Sequence, residues 1–254
     1  MSNRESLAEQ HREVLDLTRA INVLMVVANP TTHPVLGWPL GFWAAELIHP
    51  WVEFTDAGYK VTIASPNGGK AEVDGLSDPR DPSRWSASDI VSLGFLSSPD
   101  CVALLEKTPR LGSADLNNYD ALVVCGGQSP MYTFRDNVDL KNAILQFYGS
   151  GKITGIFCHG VAALVDVKLP DGKYLVEGKT VTGFANVEEE YSDAFVGEKV
   201  MPWRLEDALK ERGANYVQGG RFKAFCVRDG NLITGQQQYS GRRVARMIVA
   251  ALGS

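Results

Sequence analysis

Residues 153–164 read ITGIFCHGVAAL, and this stretch decides the fold. An apolar run ends at Cys158, and the glycine two positions later begins a segment of helical character. This pattern predicts a buried strand, a tight turn and a helix. Because ligands of open α/β sheets bind beyond the carboxyl ends of the strands, Cys158 is a candidate nucleophile of a small-molecule enzyme. The turn taken alone leaves a buried structural cysteine equally open.

Similar segments recur on both sides of this stretch. Apolar runs that predict further strands occupy residues 21–29, 59–66 and 117–127, with shorter fragments at 174–184, 215–220, 222–230 and 231–236. Helical patterns cover residues 41–56, which Pro50 should interrupt, and 98–107, 139–151, 205–214 and 240–252. The alternation of strands and helices predicts an α/β fold with one doubly wound, mostly parallel sheet between helices.

The chain length fits a single domain of this kind. Of its 254 residues, 1–20 read as an N-terminal helical extension and 21–254 as one α/β domain. Residues 76–90 are rich in Ser, Asp, Pro and Arg, which predicts a long loop beyond the second strand. Loops of this kind often act as lids.

The charge distribution limits the partners. The formal net charge is -5, and acidic and basic residues are interspersed without a basic stripe. This argues against binding to nucleic acid or to anionic lipid and favours a small-molecule substrate. No apolar run reaches the length of a membrane span, and the N-terminus is too polar for a secretory signal, so we expect a cytoplasmic protein. Cys125 and Cys226 lie in apolar runs and are expected to be buried strand residues.

Two further features are expected near Cys158. His159 is adjacent to it, and a histidine oriented by an acid can activate a thiol, for which the cluster at 188–190 supplies carboxylates. Backbone N–H groups at the start of the helix should also lower the pKa of the thiol. Glu46 lies in the otherwise apolar segment GFWAAELIHP, where it either faces solvent or is buried with a raised pKa suited to proton transfer.

Five separated motifs together resemble the ThiJ/PfpI superfamily. They occur in the expected order, from about residue 21 to residue 252: GFWAAELIHPWVEFTDAGYKVTIASPNGG, YDALVVCGG, GIFCHG, EGKTVTGFANVEE and DGNLITGQ. The likeness is to the branch of glutathione-independent glyoxalase III, also called D-lactate dehydratase, and related stress chaperones. It implies a flavodoxin-like sheet of the class I glutamine amidotransferase type.

The resemblance also implies roles for individual residues. The family's conserved acid falls on Glu46, its nucleophilic thiol on Cys158 and its histidine on His159. Its triad acid falls on Glu189, which leaves the neighbouring glutamates 188 and 190 as solvated side chains. The diglycine Gly126 and Gly127 matches the family's backbone-amide pocket, where N–H groups, together with the amide of His159, would hold an oxyanion.

The activity that the resemblance implies is the conversion of a 2-oxoaldehyde such as methylglyoxal to a 2-hydroxy acid. Neither a metal nor an organic cofactor is expected. The metal-site histidine of some bacterial chaperone members aligns with Trp43 here. The family likeness also implies a homodimer, for which Phe195, Met201 and Trp203 are candidate exposed contacts unless they belong to the core.

Several positions depart from the family pattern. After the diglycine the chain reads GGQSPMYTFRDN, so Gln128 is expected to form part of an altered substrate pocket. Val161 replaces a usual proline, and Gln237-Gln238 replaces a usual asparagine-proline pair. Because the rim differs, two alternatives stay open: a hydratase or hydrolase of C–N bonds, of the isonitrile hydratase or amidase type, and a holdase chaperone or redox sensor.

Overall fold

The computed structural model describes residues 20–253, and the predicted N-terminal helix lies outside them. The strands are β1 (Asn22–Val26), β2 (Thr31–Thr32), β3 (Pro39–Leu40), β4 (Lys60–Ala64), β5 (Ala121–Val124), β6 (Ile153–Phe157), β7 (Thr180–Val181), β8 (Asn215–Tyr216), β9 (Cys226–Asp229) and β10 (Leu232–Gly235). The α-helices are α1 (Ala44–Asp56), α2 (Ile90–Ser97), α3 (Pro99–Glu106), α4 (Pro130–Thr133), α5 (Val138–Gly149), α6 (Asn186–Val196), α7 (Leu205–Glu211) and α8 (Gly241–Leu252).

Six strands form the central sheet in the order β4-β1-β5-β6-β10-β9. The first five run parallel, and β9 pairs antiparallel with β10 at the edge. The short strands form two separate pairs, β2 with β3 and β7 with β8. The predicted α/β fold with a doubly wound, mostly parallel sheet is therefore confirmed.

Each face of the sheet carries its own apolar core. Successive side chains of a strand point to opposite faces. In β1, Leu24 and Val26 pack in one core with α5, whereas Val23 and Met25 pack in the other with α1 and α8. Burial on both faces explains why these strands are continuous apolar runs in the sequence.

One sequence expectation about the helices was wrong. Pro50 lies inside α1, is buried, and does not interrupt the helix. Proline removes one backbone N–H but leaves the remaining hydrogen bonds and the apolar face intact, and packing against the sheet retains them. The helix α2 starts where the predicted loop ends, because the side chain of Asp89 caps it by accepting from the backbone N–H of Ser92.

Cys125 and Cys226 are buried as expected, directly after β5 and within β9. No α-helix within residues 20–253 is long and apolar enough to cross a membrane. The carboxyl ends of β1, β5 and β6 meet at one edge of the sheet, and Cys158 directly follows β6. This edge positions the candidate site.

Candidate active site

Cys158 lies at a strained turn. It directly follows β6 and is the first residue of a 3-10 helix that covers Cys158–Leu164. Its φ angle is 55°, a left-handed conformation that residues other than glycine rarely adopt. Strain of this kind persists only where the surrounding structure holds it, and it often marks functional sites. The predicted strand and turn are present, and the helix that follows is a 3-10 helix.

Backbone amides surround the Cys158 sulfur. The N–H groups of His159 and Gly127 donate hydrogen bonds to it. Gly126 differs from the sequence expectation, since its N–H donates to Oε2 of Glu46 at 2.8 Å instead of facing an empty oxyanion site. The amides of Gly127 and His159 are thus the two placed to stabilise charge at the sulfur or on a group bonded to it.

Neighbouring atoms approach Gly126 and Gly127 so closely that neither position has room for a side chain. A Cβ on Gly126 would lie 2.5 Å from Oε2 of Glu46 and 2.8 Å from the Cβ of Cys158. A Cβ on Gly127, whose φ is 111°, would lie 2.5 Å from the backbone nitrogen of Trp43. Larger residues at either position would therefore displace the groups that face the thiol.

Glu46 is completely buried next to Cys158, so the solvent-facing alternative is wrong. Oε2 of its carboxyl accepts from the N–H of Gly126 at 2.8 Å, and the Cys158 side chain is close enough to affect the pKa of the carboxyl. Burial raises the pKa of Glu46 to about 8. Near neutral pH the carboxyl therefore holds a proton in most molecules and can both donate and accept one.

The Cys158 thiol differs from the sequence expectation of a lowered pKa. Burial, followed by the nearby Glu46, raises its pKa well above the usual value, although the two backbone N–H groups act in the opposite direction. The thiol is protonated in the pocket without substrate, and it needs a base at the moment of attack.

His159 and Glu189 form a buried pair on another side of the thiol. Nε2 of His159 lies 2.8 Å from Oε1 of Glu189, and Nδ1 lies 4.0 Å from the Cys158 sulfur. A carboxylate accepts only, so Nε2 carries the hydrogen, and in the neutral ring Nδ1 presents its lone pair to the thiol. The structure thus brings together Glu46, Cys158, His159 and Glu189.

Arg204 extends this pair, and no motif pointed to it. Its Nη1 lies 3.8 Å from Oε2 of Glu189, and its Nη2 is hydrogen-bonded to Asp193. The guanidinium therefore supplies a positive charge beside the buried Glu189 carboxylate. Arg204 directly precedes α7.

Of the other two glutamates in the acidic cluster, Glu190 is exposed as expected, but the prediction that Glu188 is solvated was wrong. Glu188 is fully buried and accepts hydrogen bonds from the N–H groups of Ala185 and Phe222 and from the side chain of Gln236. Burial raises its pKa. Glu188 therefore fixes the segment that carries Phe222 against the start of α6.

Asp74 is a second buried carboxyl that sequence reasoning missed. Its two oxygens accept from the N–H groups of Gly41 and Gln128, each at 2.7 Å. Burial raises its pKa to about 7. Since Asp74 connects the chain before α1 to the residue after the diglycine, it positions Gln128. In the sequence, Asp74 precedes a glycine and resembles an ordinary turn residue.

A pocket opens above Cys158 and is lined by residues from several segments. Gln128 lines it, as expected for a substrate-contacting residue, and so does Trp43, which replaces the histidine of the bacterial metal site. Within residues 20–253, no group of three His, Cys, Asp or Glu side chains is placed to share a metal ion. The absence of a metal remains a prediction.

The candidate dimer contacts are only partly exposed. Phe195 is exposed, whereas Met201 is buried, and Trp203 is half-buried with its indole N–H donating to the Met131 carbonyl. Met201 and Trp203 pack against the apolar core. The sequence alone did not show which of these three apolar side chains pack in the core and which are exposed.

Fold and geometry together define a class of α/β proteins that hold a cysteine at a strained turn, on the carboxyl edge of a doubly wound sheet, beside a buried glutamate. The chain belongs to the DJ-1/PfpI family, whose sequence pattern matches residues 39–251. This confirms the resemblance noted from the motifs.

Individual relatives are similar over most of their length. Glyoxalase 3 of Candida albicans is 26% identical over 219 residues, which cover 85% of this chain and 91% of that protein. The glutathione-independent glyoxalase HSP31 of Saccharomyces cerevisiae is 28% identical over 223 residues, with 85% and 91% covered.

Two solved structures are also similar to this chain over most of their length. The Rapid Encystment Protein 24 KDa of Francisella tularensis has a TM-score of 0.82 at 30% identity, covering 91% of this chain and 99% of that one. Glyoxalase III of Candida albicans has a TM-score of 0.77 at 24% identity, covering 91% and 97%. The second likeness concerns the fold.

Proposed function

We propose that this chain is a glutathione-independent glyoxalase that converts a 2-oxoaldehyde to a 2-hydroxy acid on Cys158. The observation that carries the proposal is the placement of Glu46 and the His159–Glu189 pair around one thiol that accepts two backbone hydrogen bonds. The names of the relatives in Candida albicans and Saccharomyces cerevisiae, both glyoxalases, support the same activity.

In the first step the Cys158 sulfur attacks the aldehyde carbon. The ionised fraction of Glu46 accepts the thiol proton, and the aldehyde oxygen receives a proton to give a hemithioacetal. Because the pKa of Glu46 is about 8, the carboxyl can take up this proton near neutral pH and release it again. The amides of Gly127 and His159 stabilise negative charge during the addition.

In the second step a proton moves between adjacent carbons. Glu46 or His159 removes the hydrogen of the former aldehyde carbon, and the electron pair forms an enediol. Return of a proton to the neighbouring carbon gives a thioester to Cys158. Water then hydrolyses the thioester, which releases the 2-hydroxy acid and restores the thiol, so the overall reaction adds one water to the 2-oxoaldehyde.

Conversion of methylglyoxal to lactate without glutathione tests the proposal. The purified protein should produce lactate, and Cys158→Ala should abolish it, because Cys158 is the one thiol among the described residues that line the pocket. Cys101→Ala is the matched control, since Cys101 is a free, half-buried cysteine in α3 that does not line the pocket.

Three outcomes would contradict the proposal. Folded Cys158→Ala that still forms lactate would remove the thiol from the reaction. Wild-type protein that forms no lactate but converts an isonitrile or an amide would favour the hydratase or hydrolase alternative. Suppression of client aggregation to the same extent by wild type and Cys158→Ala, without turnover of any of these compounds, would favour the chaperone alternative.

We also propose a cytoplasmic homodimer that acts on its substrate without a metal or an organic cofactor, with residues 21–254 as one domain. Light scattering during size-exclusion chromatography measures the oligomeric state. Activity after dialysis against a chelator tests the requirement for a metal.

A further inference from the structure

The pocket above Cys158 is lined mainly by large apolar side chains. Its Trp, Phe and Tyr side chains come from several separate segments: Trp38, Trp43, Trp85, Phe184, Tyr191, Phe195 and Phe222. Aromatic walls recognise flat apolar groups by stacking and edge contacts. A methyl substituent offers little surface for such contacts.

The pocket is also larger than a three-carbon substrate needs. Its cavity volume is about 100 Å³, counted as the space open to the centres of water-sized spheres. One water needs about 10–15 Å³ by this measure, so the pocket holds roughly seven to ten atoms of that size. Methylglyoxal has only five non-hydrogen atoms.

The charges of the pocket disfavour a negatively charged substituent. Among the described residues that line it there is no lysine or arginine, and the carboxylate of Glu189 is paired with His159. An acidic group on the substrate would therefore lose its hydration without gaining a cation. The group that fills this space therefore carries no negative charge.

Two exposed aromatic side chains meet at the mouth of the pocket. Trp85, in the segment between β4 and α2, contacts Phe195, near the end of α6, with ring centroids 5.0 Å apart. Both rings line the pocket, although Trp85 is 48% exposed and Phe195 is 60% exposed. We call this pair the aromatic bridge. A flat apolar group bound beneath it would cover ring surface that water now contacts.

Another part of the pocket wall is already held in place. The Val200 carbonyl accepts hydrogen bonds from Nε2 of His33 at 2.7 Å and from the Tyr132 hydroxyl at 3.0 Å. Val200 and Met201 line the pocket as part of this fixed segment. Since the wall is held without a ligand, the wide pocket exists before substrate binds.

We propose that this site prefers 2-oxoaldehydes with an uncharged aromatic substituent over methylglyoxal, and that the aromatic bridge determines this preference. The inference rests on the glyoxalase function proposed above and adds its substrate class. With phenylglyoxal, the same addition, proton transfer and hydrolysis give mandelate, again with the uptake of one water.

The test compares kcat/KM of the full chain for methylglyoxal, phenylglyoxal and 4-carboxyphenylglyoxal. We expect phenylglyoxal to exceed each of the other two by about tenfold or more, because each of the two rings of the bridge changes binding by about 3- to 10-fold. The acidic analogue controls for the intrinsic reactivity of aryl aldehydes.

Variants of the bridge locate the preference. Trp85→Ala and Phe195→Ala should each reduce the phenylglyoxal to methylglyoxal ratio by about 3- to 10-fold, mainly through KM for phenylglyoxal. Val138→Ala is the control, since Val138 is an exposed apolar residue that does not line the pocket, and it should leave the ratio unchanged.

The outcomes separate the two proposals. If no aldehyde is converted, the proposed function fails and the substrate class fails with it. If methylglyoxal is converted as efficiently as phenylglyoxal, or the acidic analogue as efficiently as either, the function stands and the aromatic preference is overturned. If both bridge variants change all substrates equally, the bridge does not determine specificity.

Discussion

Replacing Glu46 by glutamine should make the stability of the protein less dependent on pH. Glu46 is completely buried, and burial raises its pKa from the ordinary value of 4.5 to about 8. Glutamine has nearly the same shape, keeps an oxygen that can accept from Gly126, and cannot ionise. The variant therefore removes one buried titration and leaves the packing almost unchanged.

The sign of the effect follows from proton binding. Between pH 4.5 and about 8, the folded wild type holds a proton on Glu46 that the unfolded chain has released. The stability that this proton gives is fully present below pH 4.5 and is lost as pH rises towards 8. One proton changes the free energy of unfolding by about 1.4 kcal/mol per pH unit, so the variant should gain up to about 5 kcal/mol relative to wild type across this range.

Urea unfolding of wild type and Glu46→Gln at pH 5, 6, 7, 8 and 9 measures this difference. Near pH 5 the two proteins should differ by no more than about 1 kcal/mol, and the gap should widen up to pH 8 and then become constant. Glu190→Gln is the matched control, because Glu190 is exposed on the same protein and its replacement should give a difference that does not depend on pH. A constant difference for Glu46→Gln as well would refute the assignment of a raised pKa.

Three further substitutions test other contacts of the site. Gly126→Ala should abolish turnover and cost about 1–3 kcal/mol in urea unfolding, because the new Cβ would lie 2.8 Å from that of Cys158; an active, equally stable variant would contradict the close approach. Glu188→Gln should lower the free energy of unfolding by about 1–3 kcal/mol, because the new amide NH2 would face an N–H group that now donates to the carboxylate. Unchanged stability would show that these buried hydrogen bonds are dispensable. Arg204→Leu should lower kcat more than it raises KM, because the Glu189 carboxylate loses its cation; an unchanged kcat would exclude Arg204 as a positioning residue.

Most of the central sheet could be predicted because its strands are buried on both faces. The apolar runs that contain β1, β5 and β6 have no other stable place than the interior of a parallel sheet. The strands β7 and β8 have two residues each, so their position depends on pairing with distant segments. Pro50 likewise depends on tertiary packing, because burial of the apolar face of α1 stabilises the helix more than the loss of one hydrogen bond destabilises it.

The residues around the thiol were found from motifs, but their environment was not. Glu188 and Glu189 are neighbours of the same type, and both are buried, one for holding a loop and the other for orienting His159. Local sequence gave no sign of the first role. The direction in which the pKa of Cys158 shifts also depends on burial, whose effect exceeds that of the amides of His159 and Gly127.

The helix α6 connects chemistry and substrate selection in a way that no single motif contains. Its first turn fixes Glu188 in the core and Glu189 against His159, and its last turn presents Phe195 to Trp85 at the mouth of the pocket. Since the buried glutamates hold the start of the helix rigidly, the position of Phe195 is determined relative to the Cys158 thiol. A protein that keeps the thiol and its acids can therefore change its substrate through substitutions at the outer end of this helix and in the loop that contacts it. None of the five family motifs includes these positions.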